Sequence, residues 1–220
     1  MIDTSAIVQI SGAWLGYFML HSLLASLGSK RFIESRLPAL MPWYRLIFNL
    51  IATIFLFIPL SLLYLHHGPW VIELQGFWWW LAVFFNLLAI AGFIWSMRWY
   101  DGKEFLGIRQ LKHQVVSVAD QEKFHLSPLH RYVRHPWYSL GLLMLWSRSM
   151  DAGMLLSAIL ITLYMLIGLR LEEKKLLSYH GSIYKQFQQQ VPALIPRPWR
   201  YLNQQQAAAL MQNYQGKKLG

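Results

Sequence analysis

The residues best suited to chemistry lie in the run RYVRHPWYSLG, from Arg131 to Gly141. Pro136 fits the first turn of a helix, where its missing N–H is not needed, so we predict a helix that begins there with free backbone donors. Such a helix end attracts anions. Arg134 adds a positive charge, His135 adds an imidazole that can accept or donate a proton, and Tyr138 follows His135 at helical spacing. The run suits a ligand carboxylate or phosphate, although basic residues that only anchor a membrane helix give the same pattern.

A second cluster is the acidic pair Glu172 and Glu173 in the run LRLEEKKLL. We place this pair at the C-terminal end of the last apolar helix, where acidic groups oppose the helix dipole and require a cation. Lys174 and Lys175 could supply that cation within the protein, and a ligand ammonium is the functional alternative. Because the two preceding apolar segments form an antiparallel hairpin, we expect the pair to return to the level of the first cluster. Together the two clusters fit a zwitterionic ligand.

Polar residues inside two other apolar segments are further candidates. His21 and Asn49 are expensive to bury in a membrane and could mark a substrate site, although packing against a neighbouring helix would also satisfy them. The pair His66 and His67 lacks a third ligand at helical spacing, and the chain has no cysteine, so we expect no metal site.

Prolines end the helical pattern after the acidic pair. Pro192, Pro196 and Pro198 preclude a continuing helix there, so we expect an extended segment over the mouth of the hairpin, which could form a lid. In that arrangement three side chains face inward: Tyr184, Arg197 and Trp199. A tail on the membrane surface is the alternative. The last residues, 204–220, are polar and weakly helical, and we expect them to fray or to lie on the surface.

The elements that position these residues are membrane helices. Hydrophobic residues make up 55% of the chain and charged residues 14%. The apolar residues form blocks near the ~20 residues that cross a bilayer, except for one block that is too short to cross fully. The predicted fold is an all-α polytopic membrane helix bundle with about five transmembrane segments: 7–27, 46–65, 78–97, 136–150 and 153–171.

The net charge of +10 is explained by topology. All lysines and arginines except Arg148 fall on one side of the five alternating segments, and this side is cytosolic by the positive-inside rule. We therefore expect an N-terminus outside, a C-terminus in the cytosol, a bacterial inner-membrane location, membrane lipids as partners and no nucleic-acid partner. The N-terminal stretch has no basic region ahead of its apolar block, so we expect a retained helix rather than a signal peptide.

Several motifs resemble a known family in order and spacing. VRHPWYSLG, the apolar hairpin, LEEKKL, HGSIYKQF and VPALIP resemble the membrane methyltransferases related to isoprenylcysteine carboxyl methyltransferase. Upstream, HSLLAS, the stretch from Tyr44 to Asn49 and DGKEFLGIRQL are more similar to the bacterial branch that includes methanethiol S-methyltransferase. Ser127, Pro128 and His130 depart from a glycine and a tyrosine that many relatives carry, which bears on the substrate more than on the cofactor.

The resemblance implies S-adenosylmethionine as the cofactor, in a cytosolic pocket. It assigns seven residues to cofactor binding: Arg134, His135, Tyr138, Gly141, Glu172, Glu173 and Tyr184. For a thiol acceptor, His135 or Glu173 would take the proton. The substrate would meet His21, Asn49 and Arg197. The resemblance also implies one methyltransferase domain over residues 1–220, with membrane helices in 1–97, a catalytic core in 98–200 and a polar tail in 201–220.

The expected reaction is methylation of the sulfur of a small or lipophilic thiol, with methanethiol as the best single candidate. Three alternatives stay open at this point. A phospholipid amine or an isoprenylcysteine carboxylate could be the acceptor; the protein could be a nicotinamide-dependent membrane reductase; or it could be a non-enzymatic membrane assembly protein.

Overall fold

The structure of the chain, a computed structural model, describes residues 3–113 and 125–219. Part of the predicted cytosolic stretch 98–135 therefore lies outside the described residues. The described ranges contain nine α-helices: α1 (Thr4–Ala25), α2 (Leu27–Arg36), α3 (Tyr44–Leu65), α4 (Gly76–Ser96), α5 (Gly102–Leu106), α6 (Ile108–Lys112), α7 (Pro136–Trp146), α8 (Ala152–Gln190) and α9 (Gln204–Leu219). They also contain two short strands, β1 (Trp70–Ile72) and β2 (Met150–Asp151), and three 3-10 turns, Pro38–Trp43, Met97–Trp99 and Pro128–Arg131.

Four of the helical stretches are long and apolar enough to cross a membrane: Thr4–Ala25, Pro38–Leu65, Gly76–Trp99 and Ala152–Gln190. Large apolar side chains on these helices are exposed, among them Phe57 and Ile94. In a water-soluble protein such surfaces would aggregate, whereas lipid is their natural solvent. The prediction of an all-α polytopic membrane bundle is confirmed.

The fourth predicted segment is shorter than a membrane span. α7 has 11 residues, which is about 16 Å of helix against a hydrocarbon core of about 30 Å. Its start lies beside the end of α4, because Trp137 Nε1 donates to Ser96 Oγ at 2.9 Å. Its end lies beside the middle of α4, where Asn86 Nδ2 donates to the carbonyl of Ser147. α7 therefore runs along only half the length of α4, in agreement with the expected short segment.

The chain divides into two compact units. Unit 1 contains α1 to α3, β1, α5, α6, β2 and the first turns of α8. Within it, α1 packs along α3, and Trp14 Nε1 donates to Ser157 Oγ at 2.8 Å. β1 and β2 pair antiparallel, and the buried Asp151 accepts a hydrogen bond from the amide of Met154 to begin α8. The division into residues 1–97, 98–200 and 201–220 stays a prediction.

Unit 2 contains α4, α7, the rest of α8 and α9. α4 packs against α7, and Leu140 lies so close to Gly92 that an added Cβ would meet it at 3.1 Å. Beyond its apolar turns, α8 breaks at Gly181, whose φ of 55° suits glycine. The residues after the break form a small hydrophobic core with α9, which we call the tip core: Ile183, Tyr184, Phe187, Val191, Leu202 and Leu210.

One prediction about this part of the chain is wrong, and a second is too general. The last apolar helix does not end at Glu172 and Glu173, because α8 continues to Gln190; the acidic pair is therefore in mid-helix and not opposed to a helix C-terminus. The sequence predicts a weakly helical tail that frays or lies on the surface; the tail forms the helix α9 from Gln204, which is mostly exposed but buries Leu210 in the tip core. Both stretches have a polar average composition, but a few of their apolar residues are spaced so that they lie on one face of a helix. Burial of that face determines the structure.

One glycine of unit 1 offers a test of this packing. Gly107 lies between α5 and α6 with φ of 90°, and an added Cβ would approach the amide nitrogen of Leu46 to 2.8 Å. We expect Gly107→Ala to lower the free energy of unfolding by about 2–4 kcal/mol, from left-handed strain and overpacking. Gly102→Ala, which meets nothing within 4 Å, should change it by less than about 0.5 kcal/mol. Unfolding by SDS in mixed micelles measures both, and equal effects would contradict the described packing.

Candidate active site

The start of α7 lies where the sequence predicts it. Pro136 is the first helical residue and His135 is the N-cap. The segment after α8 pairs with this start: the amide of Arg134 donates to the carbonyl of Pro192 at 2.9 Å, and that of His135 to Ala193 at 3.0 Å. As expected from its prolines, the segment contains no helix between Gln190 and Gln204. The main chain just before α7 and the main chain just after α8 are thus hydrogen-bonded directly to each other.

Arg134 is the most heavily bonded side chain of this region. Its Nε donates to Glu173 Oε1 at 2.6 Å, and its Nη1 donates to the carbonyls of Gln188 and Val191. The arginine side chain is only 10% exposed. A buried guanidinium requires a counter-charge, and helix-end carbonyls are unsatisfied acceptors, so Arg134 binds the middle and the end of α8 at once.

His135 lies between the two glutamates. Its Nε2 is 3.2 Å from Glu173 Oε1, and its Nδ1 is 3.6 Å from Glu172 Oε2. The histidine side chain is 5% exposed. The structure therefore brings together the basic and acidic clusters, as the hairpin predicts. We call Arg134, His135, Glu172 and Glu173 the Arg–His–Glu cluster.

The two glutamates differ in their surroundings. Burial of the Glu173 carboxyl raises its pKa, but the hydrogen bonds and charges of His135 and Arg134 act against this and hold the pKa below its usual range. Its second oxygen, Oε2, accepts from Gln188 Nε2 at 3.2 Å. Glu172 is 39% exposed, against 15% for Glu173. Glu173 is thus an ionised, enclosed carboxylate, and Glu172 is the one that a ligand can reach.

Three further predicted residues lie near the cluster or on its helices. The ring of Tyr138 lies 5.6 Å from that of His135, centroid to centroid. A Cβ added at Gly141 would lie 3.7 Å from Met165 Cε, which marks the packing of α7 on α8. Tyr184 is 2% exposed; burial raises its pKa, and the nearby charge of Glu173 raises it further.

The predicted substrate residues are not part of this cluster. His21 packs between the rings of Tyr17 and Phe48, at centroid distances of 5.9 and 5.2 Å. Asn49 Nδ2 donates to the carbonyl of Phe105 at 3.1 Å. Both residues belong to unit 1, whereas the Arg–His–Glu cluster belongs to unit 2. Their assignment to a substrate stays a prediction.

The predicted lid is only partly correct. Tyr184 faces inward, but Arg197 is exposed and Trp199 is 77% exposed. The amide of Arg200 donates to the carbonyl of Arg197 at 3.0 Å, and this tight turn directs Trp199 outward. The prediction that Arg197 and Trp199 face inward is therefore wrong, and the role of Arg197 toward a substrate stays a prediction.

Sequence reasoning missed two residues that support the cluster. Gln188 binds Glu173, and Arg200 Nη2 donates to the carbonyls of Gln188 and Gln189 at 3.0 and 2.7 Å. Gln188 is 15 residues from Glu173, a distance of about 22 Å in a straight helix. The one signal for the fold-back is Gly181, a residue that interrupts helices at little steric cost.

Among the residues that the structure describes, no group of three or more histidine, aspartate or glutamate side chains could hold a metal ion. The expected absence of a metal stays a prediction.

The unequal glutamates predict unequal stability effects. Glu173→Gln leaves the Arg134 guanidinium without its counter-charge, so we expect the free energy of unfolding near pH 7 to fall by about 2–3 kcal/mol. The more exposed Glu172→Gln should lower it by less than about 1 kcal/mol. Because the pKa of Glu173 is depressed in the folded state, its contribution is present above the unfolded pKa and is lost as pH falls through the folded pKa. SDS unfolding from pH 7 down to pH 3 should therefore show the wild type converging on Glu173→Gln; a gap that persists in acid would contradict the ion pair.

The chain is similar to several curated proteins that share one name. The chain is 34% identical over 123 residues to methanethiol S-methyltransferase 1 of Bradyrhizobium diazoefficiens, a match of 55% of this chain and 39% of the relative. It is 40% identical over 96 residues to methanethiol S-methyltransferase of a Pseudomonas species, with 43% and 37% covered. It is 32% identical over 121 residues to that of Crocosphaera subtropica, with 52% and 46% covered.

The matched stretch spans less than half the length of each of these curated relatives. No family model and no solved structure matches the chain. The curated matches confirm the resemblance of this chain to the bacterial methanethiol S-methyltransferase branch.

Proposed function

We propose that this protein is an integral membrane methyltransferase that transfers a methyl group from S-adenosylmethionine to the sulfur of a small thiol, with methanethiol as the acceptor. The observation that carries the proposal is the Arg–His–Glu cluster at the start of α7, in a chain similar to proteins named for that reaction. A thiol acceptor needs a base and a dry site, and the cluster offers a buried histidine beside two carboxylates.

The residues at the start of α7 fit the amino-acid portion of S-adenosylmethionine. The accessible carboxylate of Glu172 suits an ammonium group, and the start of α7 suits a carboxylate, because the N-terminal end of a helix carries a partial positive charge. Tyr138 and Tyr184 would contact the rest of the molecule. When bound, S-adenosylmethionine supplies an electrophilic methyl group, so the protein has mainly to align the acceptor and exclude water.

Glu173 and Arg134 have a positioning role in this proposal. The ionised Glu173 accepts a hydrogen bond from His135 Nε2, which fixes the tautomer with the lone pair on Nδ1. Arg134 and Gln188 hold the carboxylate in place from two sides. His135 Nδ1 would then take the proton of the thiol S–H group, which leaves the acceptor as a thiolate nucleophile.

The proposed location is the cytosolic face of a bacterial inner membrane, with the N-terminus outside. The distribution of lysine and arginine supports this orientation. The cytosol is also where a thiol stays reduced.

Product analysis tests the reaction itself. Purified protein in lipid vesicles is incubated with methyl-labelled S-adenosylmethionine and either methanethiol, a phosphatidylethanolamine or an isoprenylcysteine peptide, and the label is extracted as volatile sulfide, lipid or peptide ester. We expect label in volatile dimethyl sulfide, only with methanethiol and only with active protein. Label recovered in the lipid or in the peptide ester would identify that molecule as the acceptor instead of methanethiol. No transfer, together with binding of a reduced nicotinamide cofactor, would favour a reductase instead, and inert protein that binds neither cofactor would favour an assembly role.

Two variants separate binding from proton transfer. His135→Gln should lower kcat by about 100-fold or more while the Kd for S-adenosylmethionine changes little, because general-base catalysis contributes at least that factor. Glu172→Gln should raise that Kd by about 10-fold or more, the loss expected for one charge-assisted hydrogen bond. Calorimetric titration gives Kd, and sulfide production between pH 6 and 9 gives kcat. Full turnover of His135→Gln across this range would exclude it as the base.

A further inference from the structure

The segment between α8 and α9 exposes large apolar side chains beside arginines. The main-chain hydrogen bond from Arg200 to Arg197 closes a turn with Pro198 at its second position and Trp199 at its tip. Trp199 is 77% exposed and Ile195 is 75% exposed. We call residues 195–200 the exposed turn. A tryptophan and an isoleucine in such positions are unfavourable in water and require a partner surface.

The exposed turn begins at the level of the membrane boundary within unit 2. The carbonyl of Leu194, the residue before it, accepts a hydrogen bond from Ser139 Oγ in α7 at 2.6 Å. Two residues before Ser139, Trp137 binds Ser96, the last residue of the membrane-crossing helix α4. Ile195 is therefore close to the height at which α4 leaves the hydrocarbon core, and the lipid headgroups are the surface nearest to it.

Along the sequence, the charged side chains that follow Glu173 are all basic. After Glu173 the chain contains no aspartate or glutamate, while lysines and arginines continue to its end. Arg197 is exposed at the first position of the turn. Arg200 ties the turn to the protein, because its Nη2 donates to carbonyls at the end of α8. Basic residues at a membrane surface attract anionic phospholipids, and indole rings favour the headgroup layer.

We propose that the exposed turn docks into the headgroup layer of the surrounding bilayer and binds anionic phospholipid there. Trp199 and Ile195 enter the interface, and Arg197 pairs with a lipid phosphate. Just before the exposed turn, the carbonyls of Pro192 and Ala193 accept hydrogen bonds from the amides of Arg134 and His135. The lipid contact therefore anchors the chain beside the Arg–His–Glu cluster. The inference concerns a lipid surface and does not depend on which reaction the protein catalyses.

Spin labelling tests the docking directly, because the chain has no native cysteine. Ile195→Cys carries the reporter label, Leu163→Cys on the exposed apolar face of α8 is the lipid reference, and Gln205→Cys on α9 is the water reference. The ratio of oxygen to nickel-chelate collisions measures immersion in vesicles of phosphatidylcholine with or without phosphatidylglycerol. We expect the ratio at 195 to lie between the two references, clearly above the water reference, as the headgroup layer requires, and to be higher with phosphatidylglycerol. A ratio equal to the water reference in both vesicles would overturn the proposal.

Matched substitutions identify the side chains responsible. Trp199→Ala should lower the ratio at 195 to the water reference, whereas Trp78→Ala, an exposed tryptophan at the other end of α4, should leave it unchanged. Arg197→Gln should abolish the difference between the two vesicle types. A label that is equally immersed with and without phosphatidylglycerol would overturn the preference for anionic lipid. Brominated lipid gives a readout with Ile195 intact. The chain has 11 tryptophans, so the fluorescence intensity quenched by brominated lipid should fall in Trp199→Phe by the contribution of Trp199 and should not disappear. An unchanged quenched intensity in that variant would count against the contact.

Discussion

The buried guanidinium of Arg134 is the constraint on which the arrangement of unit 2 depends. A cation that is 10% exposed must be neutralised and fully hydrogen-bonded. Its partners come from the middle of α8, from its last turn and from the residue after it: the carboxylate of Glu173, and the carbonyls of Gln188 and Val191. These groups can surround one side chain only if α8 reverses between them, and the break at Gly181 makes that reversal possible. The tip core then supplies the apolar burial that keeps the helix folded back.

The burial of Arg134 also gives the adjacent carboxylates of Glu172 and Glu173 different roles. Because both oxygens of Glu173 are bonded within the protein, its charge is used to hold Arg134 and His135. Glu172, one residue along the helix, points to a different side of α8 and keeps a larger exposed surface. Two glutamates that are identical in chemistry thus acquire distinct environments from helix geometry alone. In the proposed methyltransferase, one carboxylate orients the base and the other meets the methyl donor.

The sequence was sufficient for the features that depend on local rules. Apolar block length predicted the membrane helices, Pro136 predicted the start of α7, and the prolines from Pro192 predicted the helix-free segment. Hairpin topology predicted that Arg134 and His135 meet the acidic pair. The continuation of α8, the fold-back that brings Gln188 to Glu173, and the helical tail were not predictable in this way. They depend on long-range burial of Ile183, Phe187 and Leu210, and a polar average composition conceals these three positions.

The short helix α7 also explains why the cluster can be held rigidly beside lipid. The first amides and the last carbonyls of a helix have no partner within the helix. Where a helix end lies in a bilayer, water cannot satisfy these groups, so the protein must supply the partners. Asn86 supplies a donor to Ser147 at one end, and the residues after α8 pair with Arg134 and His135 at the other. Since both ends are fixed to neighbours of the same unit, α7 can neither slide nor rotate without breaking buried hydrogen bonds. The position of His135 is thus set by the hydrogen bonds of the main chain at both ends of α7 as well as by the charges around its side chain.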